Sequence, residues 1–333
     1  VNKPDSLSEK IMNDALSEGA SDIHFSPGEK TVTIYFRING YRWYYDKILI
    51  QAYQLLLSYY KFSTGMDIAE KRIPQNGTLL FNHSKGMYDL RLSTLPLKEN
   101  ESLAIRILSK QDFPDLDELF VFPKQAKELI TWMENKAGII LLTGPTGSGK
   151  STTMYTLLRA STQKHGYQAI TLEDPVEQTI DNLLQVQVNE KAGFNYDIGL
   201  KAALRHDPDI IMVGEIRDQS TAKFAFRAAL TGHLVISTIH AKNAVGTIAR
   251  LTEMGLSKID LQQSIIGIAS QELIECERFS NGKSIMKRAA IAEMLHEHQL
   301  EAAIGGTPSH NIPGFESFSD LRRKAYALGY STP

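Results

Sequence analysis

From Thr31 onward apolar side chains fall at every second position, Val32, Ile34, Phe36 and Ile38, with polar residues or Tyr35 and Arg37 between them. A period of two is that of a half-buried strand. Asn39-Gly40 then supplies a hairpin turn into a second strand over residues 41–45. Upstream the period is helical. Leu7, Ile11 and Ala15, with Met12 and Leu16, follow a Ser6-Leu7-Ser8-Glu9 run of capping-box spacing, and Gly19 stops the helix. A second helix is predicted over 50–63, and strands over 78–81, 87–95 and 103–108. Residues 1–109 thus read as an α+β domain.

Residues 110–123, with Asp112, Pro114, Asp115, Asp117 and Pro123, read as a linker or a transit between domains. Past it the grammar changes. The runs 139–142, 169–172, 210–213 and 234–237 are continuously apolar, with helical stretches between them. Such strands are buried on both faces and joined by helical crossovers, so residues 124–333 are expected to be α/β with a parallel-rich sheet. The last ~70 residues read as mostly helical.

Composition narrows this little. At 333 residues, with 42% hydrophobic and 22% charged side chains, the chain has material for two ordinary globular domains. A net charge of −2 offers no global field for gripping nucleic acid, and no direct nucleic-acid binding is expected. Cys276 is the one cysteine, which excludes an intramolecular disulfide and a Cys₄ zinc site. No apolar run approaches the roughly 20 residues of a membrane span, and Val1-Asn2-Lys3-Pro4-Asp5 opens no signal peptide. A soluble protein is expected, with any membrane contact peripheral or through a partner.

Chemistry enters at Gly144-Pro145-Thr146-Gly147-Ser148-Gly149-Lys150-Ser151, which satisfies the P-loop pattern. An apolar strand runs into it, and a helix beginning with Thr152 continues from it. Glycines let backbone N–H groups converge on phosphate oxygens, and the helix start adds favourable partial charge. Lys150 is expected on the β- and γ-phosphates and Ser151 on Mg²⁺. Asp209-Ile210-Ile211-Met212-Val213-Gly214-Glu215 is a second apolar strand ending in a carboxylate, like a Walker B strand. Gly214 stands where most P-loop enzymes place the metal-orienting Asp, and Glu215 is placed to deprotonate water. A third strand ends in Glu173-Asp174-Pro175-Val176-Glu177. Ligands of α/β sheets bind at that edge, so Glu173 and Asp174 could hold the hydrated metal instead; a merely charged loop reads the same way. His233 and His240 flank a fourth strand, His240 being the candidate γ-phosphate sensor.

These four segments, in this order, resemble the Walker A, Asp box, Walker B and His box of the secretion ATPases of type II secretion and type IV pilus systems. The preceding domain is similar too, through Ser21-Asp22-Ile23-His24, Arg37-Ile38-Asn39-Gly40, Arg72-Ile73-Pro74-Gln75-Asn76-Gly77 and Asp89-Leu90-Arg91-Leu92. The likeness is strongest to the traffic ATPase of Gram-positive competence pseudopili. The resemblance implies a RecA-like domain and a homohexamer using ATP and Mg on the cytoplasmic face of the membrane. It also implies a polytopic inner-membrane platform protein as partner. Arg37, Arg91 and Arg106 fall where the family's N-terminal arginines reach the nucleotide, although three arginines on a solvated sheet would look the same. Two departures stand out: zinc is not expected, because the tetracysteine motif common in assembly ATPases is missing, and Asn76 replaces the commoner Asp. Three readings remain open here: an ATP-driven motor, a small-molecule kinase, and a nucleotide-gated scaffold that does not hydrolyse.

Overall fold

A computed structural model of the chain describes residues 4–38, 40–84, 86–109, 114–176, 178–280 and 283–330. Asn39 of the predicted hairpin turn, Glu177 and residues 110–113 of the predicted linker lie outside them. The chain divides into two compact units, Val1–Gln111 and Asp112–Pro333.

The first unit runs α1 (Pro4–Ser17), β1 (Asp22–Pro27), β2 (Thr31–Ile38), β3 (Tyr41–Leu49), α2 (Ile50–Ser63), β4 (Gln75–His83), β5 (Gly86–Pro96) and β6 (Glu101–Ser109). Its strands form one sheet in the order β3-β2-β1-β6-β5-β4, every pairing antiparallel. The alternation seen in sequence becomes burial: Val32, Ile34 and Phe36 are enclosed, as are Ile23, Phe25, Leu90, Leu92, Leu103 and Ile105. They pack on Ile11, Met12 and Ala15 of α1 and on Tyr53, Leu56 and Tyr60 of α2. Alternate residues point the other way, so this sheet keeps a polar face. Strand β1, not anticipated from periodicity, is central.

The second unit continues with α3 (Leu116–Leu119), α4 (Pro123–Trp132), β7 (Gly138–Thr143), α5 (Lys150–His165), β8 (Ala169–Glu173), β9 (Leu184–Gln187), α6 (Tyr196–Ala203) and β10 (Ile210–Ile216). Then come α7 (Gln219–Leu230), β11 (Leu234–Ile239), α8 (Ala244–Glu253), α9 (Lys258–Ser264), β12 (Ile265–Ser280), β13 (Lys283–His296), α10 (Glu297–Gly305) and α11 (Phe318–Ala327). Seven strands order as β13-β12-β7-β11-β10-β8-β9, all parallel except β13. Separate apolar clusters take up alternate residues of β7: Ile139 and Leu141 in one, Ile140 and Leu142 in the other, which is why these strands read as unbroken apolar runs.

One expectation needs correction. The last ~70 residues are not mostly helical: β12 and β13 form a long hairpin that extends the sheet past β7. Ala289, Ala290, Ala292, Glu293, Met294 and Leu295 favour helix locally, but pairing with β12 overrides propensity. Residues 114–123, the described part of the expected linker or transit, pack within the second unit. Leu116, Phe120, Val121 and Phe122 are buried, and Phe120 bridges to Ala290. No helix among the described residues is long and apolar enough to cross a membrane.

Candidate active site

Strand β7 delivers the chain into the loop at Gly144, and α5 starts at Lys150. Close packing decides what Gly144 can be. It sits at φ +127°, and a Cβ there would lie 2.3 Å from the Gln271 carbonyl oxygen of β12. Gln271 is itself fully buried, and its Nε2 donates to Thr153 Oγ1 of α5 at 3.0 Å. Strand β12 therefore backs the phosphate loop, and Leu273 of the same strand lines the cavity in front of it. Lys150 Nζ donates to the carbonyls of Gly144 and Pro145, each at 2.9 Å. The first-turn N–H groups of a helix have no partner within it, so the start of α5 is an anion-binding end.

A cavity of about 490 Å³ opens in front of this loop. Thr146, Gly147, Gly149, Lys150, Ser151 and Thr152 line it from one side. From the strand ends come Glu173 and Asp174 at the end of β8, Gly214, Glu215 and Arg217 around β10, and Thr238 and His240 at the end of β11. Four segments far apart in sequence thus meet at the carboxyl edge of one sheet, where α/β folds bind ligands. Gly144 and Ser148 are buried behind the loop surface and Pro145 is exposed. Ser148 Oγ, among the described residues, finds no hydrogen-bond partner.

Glu215 reaches the cavity through a bulge. Strand β10 pairs with β11 in register from Ile210 to Val213, then one extra residue intervenes before Ile216 meets Ile239. A bulge re-aims side chains, and two hydroxyls hold this one: Ser237 Oγ donates to the Val213 carbonyl and Thr238 Oγ1 to the Gly214 carbonyl, both at 2.7 Å. Gly214 fits beside β8, where a Cβ would sit 3.2 Å from the Leu172 carbonyl oxygen. A larger residue would crowd the neighbouring strand, which accounts for glycine where Asp is usual.

The three carboxylates differ in their partners. Glu173 is buried and accepts from Tyr155 Oη on one oxygen, and from Thr171 Oγ1 at 2.5 Å and Gln185 Nε2 at 3.2 Å on the other. Asp174 and Glu215 face the open side. Arg217 Nε donates to Glu215 Oε2 at 2.7 Å, and Arg217 Nη1 to Asp174 Oδ2 at 3.2 Å. His240 Nε2 lies 3.2 Å from Glu215 Oε1. The hydrogen bond to Glu215 holds the Arg217 guanidinium above its usual pKa, and burial, followed by Asp174, pushes the Tyr196 phenol up to about 12. Ser151 and Asp174 offer hard oxygens on the same cavity, a donor set that suits magnesium shared with phosphates. No cluster of three His, Cys, Asp or Glu among the described residues could hold a metal by itself.

The three expected arginines meet one another on the polar face of the first unit's sheet. In register across the strands stand Arg42, Arg37, Asp22, Arg106 and Arg91. Arg106 Nε donates to Asp22 Oδ1 at 2.9 Å, and Arg37 Nε lies 3.9 Å from Asp22 Oδ2. Burial pushes the Asp22 carboxyl up, but hydrogen bonds from Arg106 and Ser21 outweigh it and hold it below the usual carboxylate range.

Sequence reading passed over Arg217, Tyr155, Gln185, Gln271 and Leu273. Arg217 could have been found, since two residues beyond Glu215 on a strand is the same face. The other side of the loop gives no such signal, because the pattern over β12 reads as helix.

A family model described as type II/IV secretion system protein matches residues 4–310. The chain belongs to that family. Among its relatives, the competence protein ComGA of Halalkalibacterium halodurans is 44% identical over 97% of this chain and 95% of that one. The competence protein ComGA of Bacillus subtilis is 40% identical over 98% and 95%. A solved structure of the pilus retraction motor PilT with bound ADP superposes with a TM-score of 0.76 at 27% identity, covering 97% of this chain and 94% of that chain. The chain is thus an α/β ATPase of the type II/IV secretion family, and nucleotide is what its phosphate loop serves.

Proposed function

We propose that this ATPase is the motor that powers assembly of a type IV pilus-like filament or pseudopilus, in the setting of competence DNA uptake. The relatives called competence proteins match it over nearly their whole length, which supports that setting over protein secretion or filament retraction. Its working form is a homohexamer on the cytoplasmic face of the membrane, held there by a polytopic platform protein.

On this reading the residues take the following roles. Lys150 exchanges its two loop carbonyls for the β- and γ-phosphate oxygens of ATP. Gly144, Pro145, Thr146, Gly147, Ser148, Gly149, Ser151 and Thr152 form the rest of the cradle. Ser151 and Asp174, with Glu173 fixed behind them, would hold magnesium, which when bound would neutralise charge on the phosphates. Glu215 takes the proton of the attacking water, and His240, already beside the same carboxylate, orients it and senses the γ-phosphate. Arg37, Arg91 and Arg106 supply guanidinium charge to the transferring phosphoryl group. The relatives and the superposed solved structure are secretion-system, competence and pilus proteins, which favours the motor over the kinase reading.

The bulge that aims Glu215 at the loop of Lys150 carries this assignment. Glu215→Gln should leave nucleotide affinity within about threefold while phosphate release falls by about 100-fold or more. Hydrolysis at the wild-type rate in that variant would remove Glu215 as the base. Native mass spectrometry with a non-hydrolysable ATP analogue should show six chains.

A further inference from the structure

Asp174 follows β8 and Glu215 lies near the end of β10, each two residues past Leu172 and Val213, the last pair at which these adjacent parallel strands are in register. Two like charges therefore face one cavity, with buried Glu173 behind them. Such a cluster calls for a counter-charge, and among the described residues Arg217 is the cation that pairs with both outer carboxylates. Its two contacts use different nitrogens, Nε for Glu215 and Nη1 for Asp174, so the planar guanidinium spans the gap between strand ends. The partners also differ in permanence. Glu173 is held by neutral donors in a buried pocket, whereas the Arg217 side chain is 55% exposed and borders solvent. Its backbone is anchored nonetheless: the next residue, Asp218, caps α7 by accepting from Thr221 N at 2.8 Å. A fixed stem with an exchangeable cationic head is suited to trading places with another cation.

We propose that Arg217 is the resident counter-cation of this site: it occupies the Asp174 and Glu215 oxygens until a divalent cation arrives with nucleotide and displaces it. On this reading Arg217 is a positioning residue. While it spans the two strand ends, Glu215 is turned to a guanidinium and cannot take a proton from water. Loading of the metal nucleotide frees the base, so the site is armed only when filled. The inference depends on the assignment of Glu215 and Asp174 to hydrolysis made above.

Binding is the test, since it is read without turnover. The full chain, its Arg217→Gln variant and its Arg217→Lys variant are each titrated with Mg²⁺ at fixed concentration of a fluorescent, non-hydrolysable ATP analogue. Removing the competitor should lower the half-saturating Mg²⁺ by about threefold or more in Arg217→Gln, the scale of a partly exposed charge pair. Lysine keeps the charge without the two-pronged contact and should shift it in the same direction by less. Affinity for the analogue without Mg²⁺ should not rise, because a positive charge has been lost. A merely structural arginine would give weaker binding with and without metal. Half-saturation unchanged or raised in Arg217→Gln overturns the proposal, and should that variant be insoluble the same result in Arg217→Lys does so. Glu215→Gln keeps the two readings apart. If it still hydrolyses, the base assignment fails whatever the titration shows; if it is inactive and the titration does not shift, Arg217 alone is misassigned.

Discussion

The six-stranded sheet of the first unit gives one face to α1 and α2 and lays charge along the other, in the row from Arg42 to Arg91. The seven-stranded sheet of the second unit spends both faces on apolar packing and carries its polar chemistry at the strand ends. The difference lies in what a substitution can disturb. A row across an open face is built around side chains that solvent already reaches, such as Arg37 and Arg106, so those members can change without loosening the core. A site at strand ends inherits its geometry from buried backbone, and a change one layer behind it moves everything in front.

The strongest test of that contrast uses an exception within the first unit. Lys61 and Glu101 are an ion pair at 2.7 Å with both side chains 2% exposed. Lys61 also donates to the Glu70 carbonyl, and Tyr53 Oη to the Glu101 carbonyl, each at 2.7 Å. Lys61→Met strands a buried carboxylate and should cost about 3–5 kcal/mol in denaturant unfolding of that unit. Adding Glu101→Leu should restore most of it, because the pair gains little over an apolar replacement of similar volume. A loss below about 1 kcal/mol would show that water reaches the pair.

Next in size is a change behind the phosphate loop. Gly144→Ala forces a Cβ toward the Gln271 carbonyl at 2.3 Å, from a backbone angle alanine rarely adopts. Either the loop or β12 must shift, at about 1–3 kcal/mol. Because the loop is the phosphate cradle, nucleotide affinity should drop by about tenfold or more alongside the lower Tm. Calorimetry with an analogue titration checks both; normal affinity would mean that β12 yields and the loop does not.

That prediction could not have been framed from the sequence. The phosphate loop is legible from its glycine and lysine spacing, and the Glu215 strand, the Glu173-Asp174 turn and the His240 strand because each is an unbroken apolar run leading to a polar residue. Period-two alternation likewise exposed β2, and α2 has the bounds expected for it, Ile50–Ser63. Strand β12 was hidden. Its first half is buried on both faces and shows no alternation, and its partner β13 is rich in alanine and other helix formers. Gln271 and Leu273 were lost with it. The bulge at Gly214 and Glu215 is a matter of register between two strands, which no single strand encodes. Arginines of the first unit could be named from resemblance, but that they stand in one row around Asp22 needed the pairing of five strands.

The smallest effect is expected in that row. Asp22 sits between Arg106 and Arg37, with its pKa held below the usual carboxylate range. A carboxyl whose folded pKa is depressed adds stability above its unfolded value, near 3.9, and loses it as pH falls through the folded one. Asp22→Asn should therefore cost less than about 1 kcal/mol at neutral pH, since its main partner Arg106 is 67% exposed and solvent screens the pair. The variant and the parent should converge in stability as pH falls below the unfolded value and through the lower folded one, where the parent carboxyl takes up its proton. Urea unfolding at pH 7 and at pH 3 measures both quantities. A loss of about 3 kcal/mol or more at pH 7 would mean that the open face supports the fold as the buried one does, and the contrast between the two sheets would no longer hold.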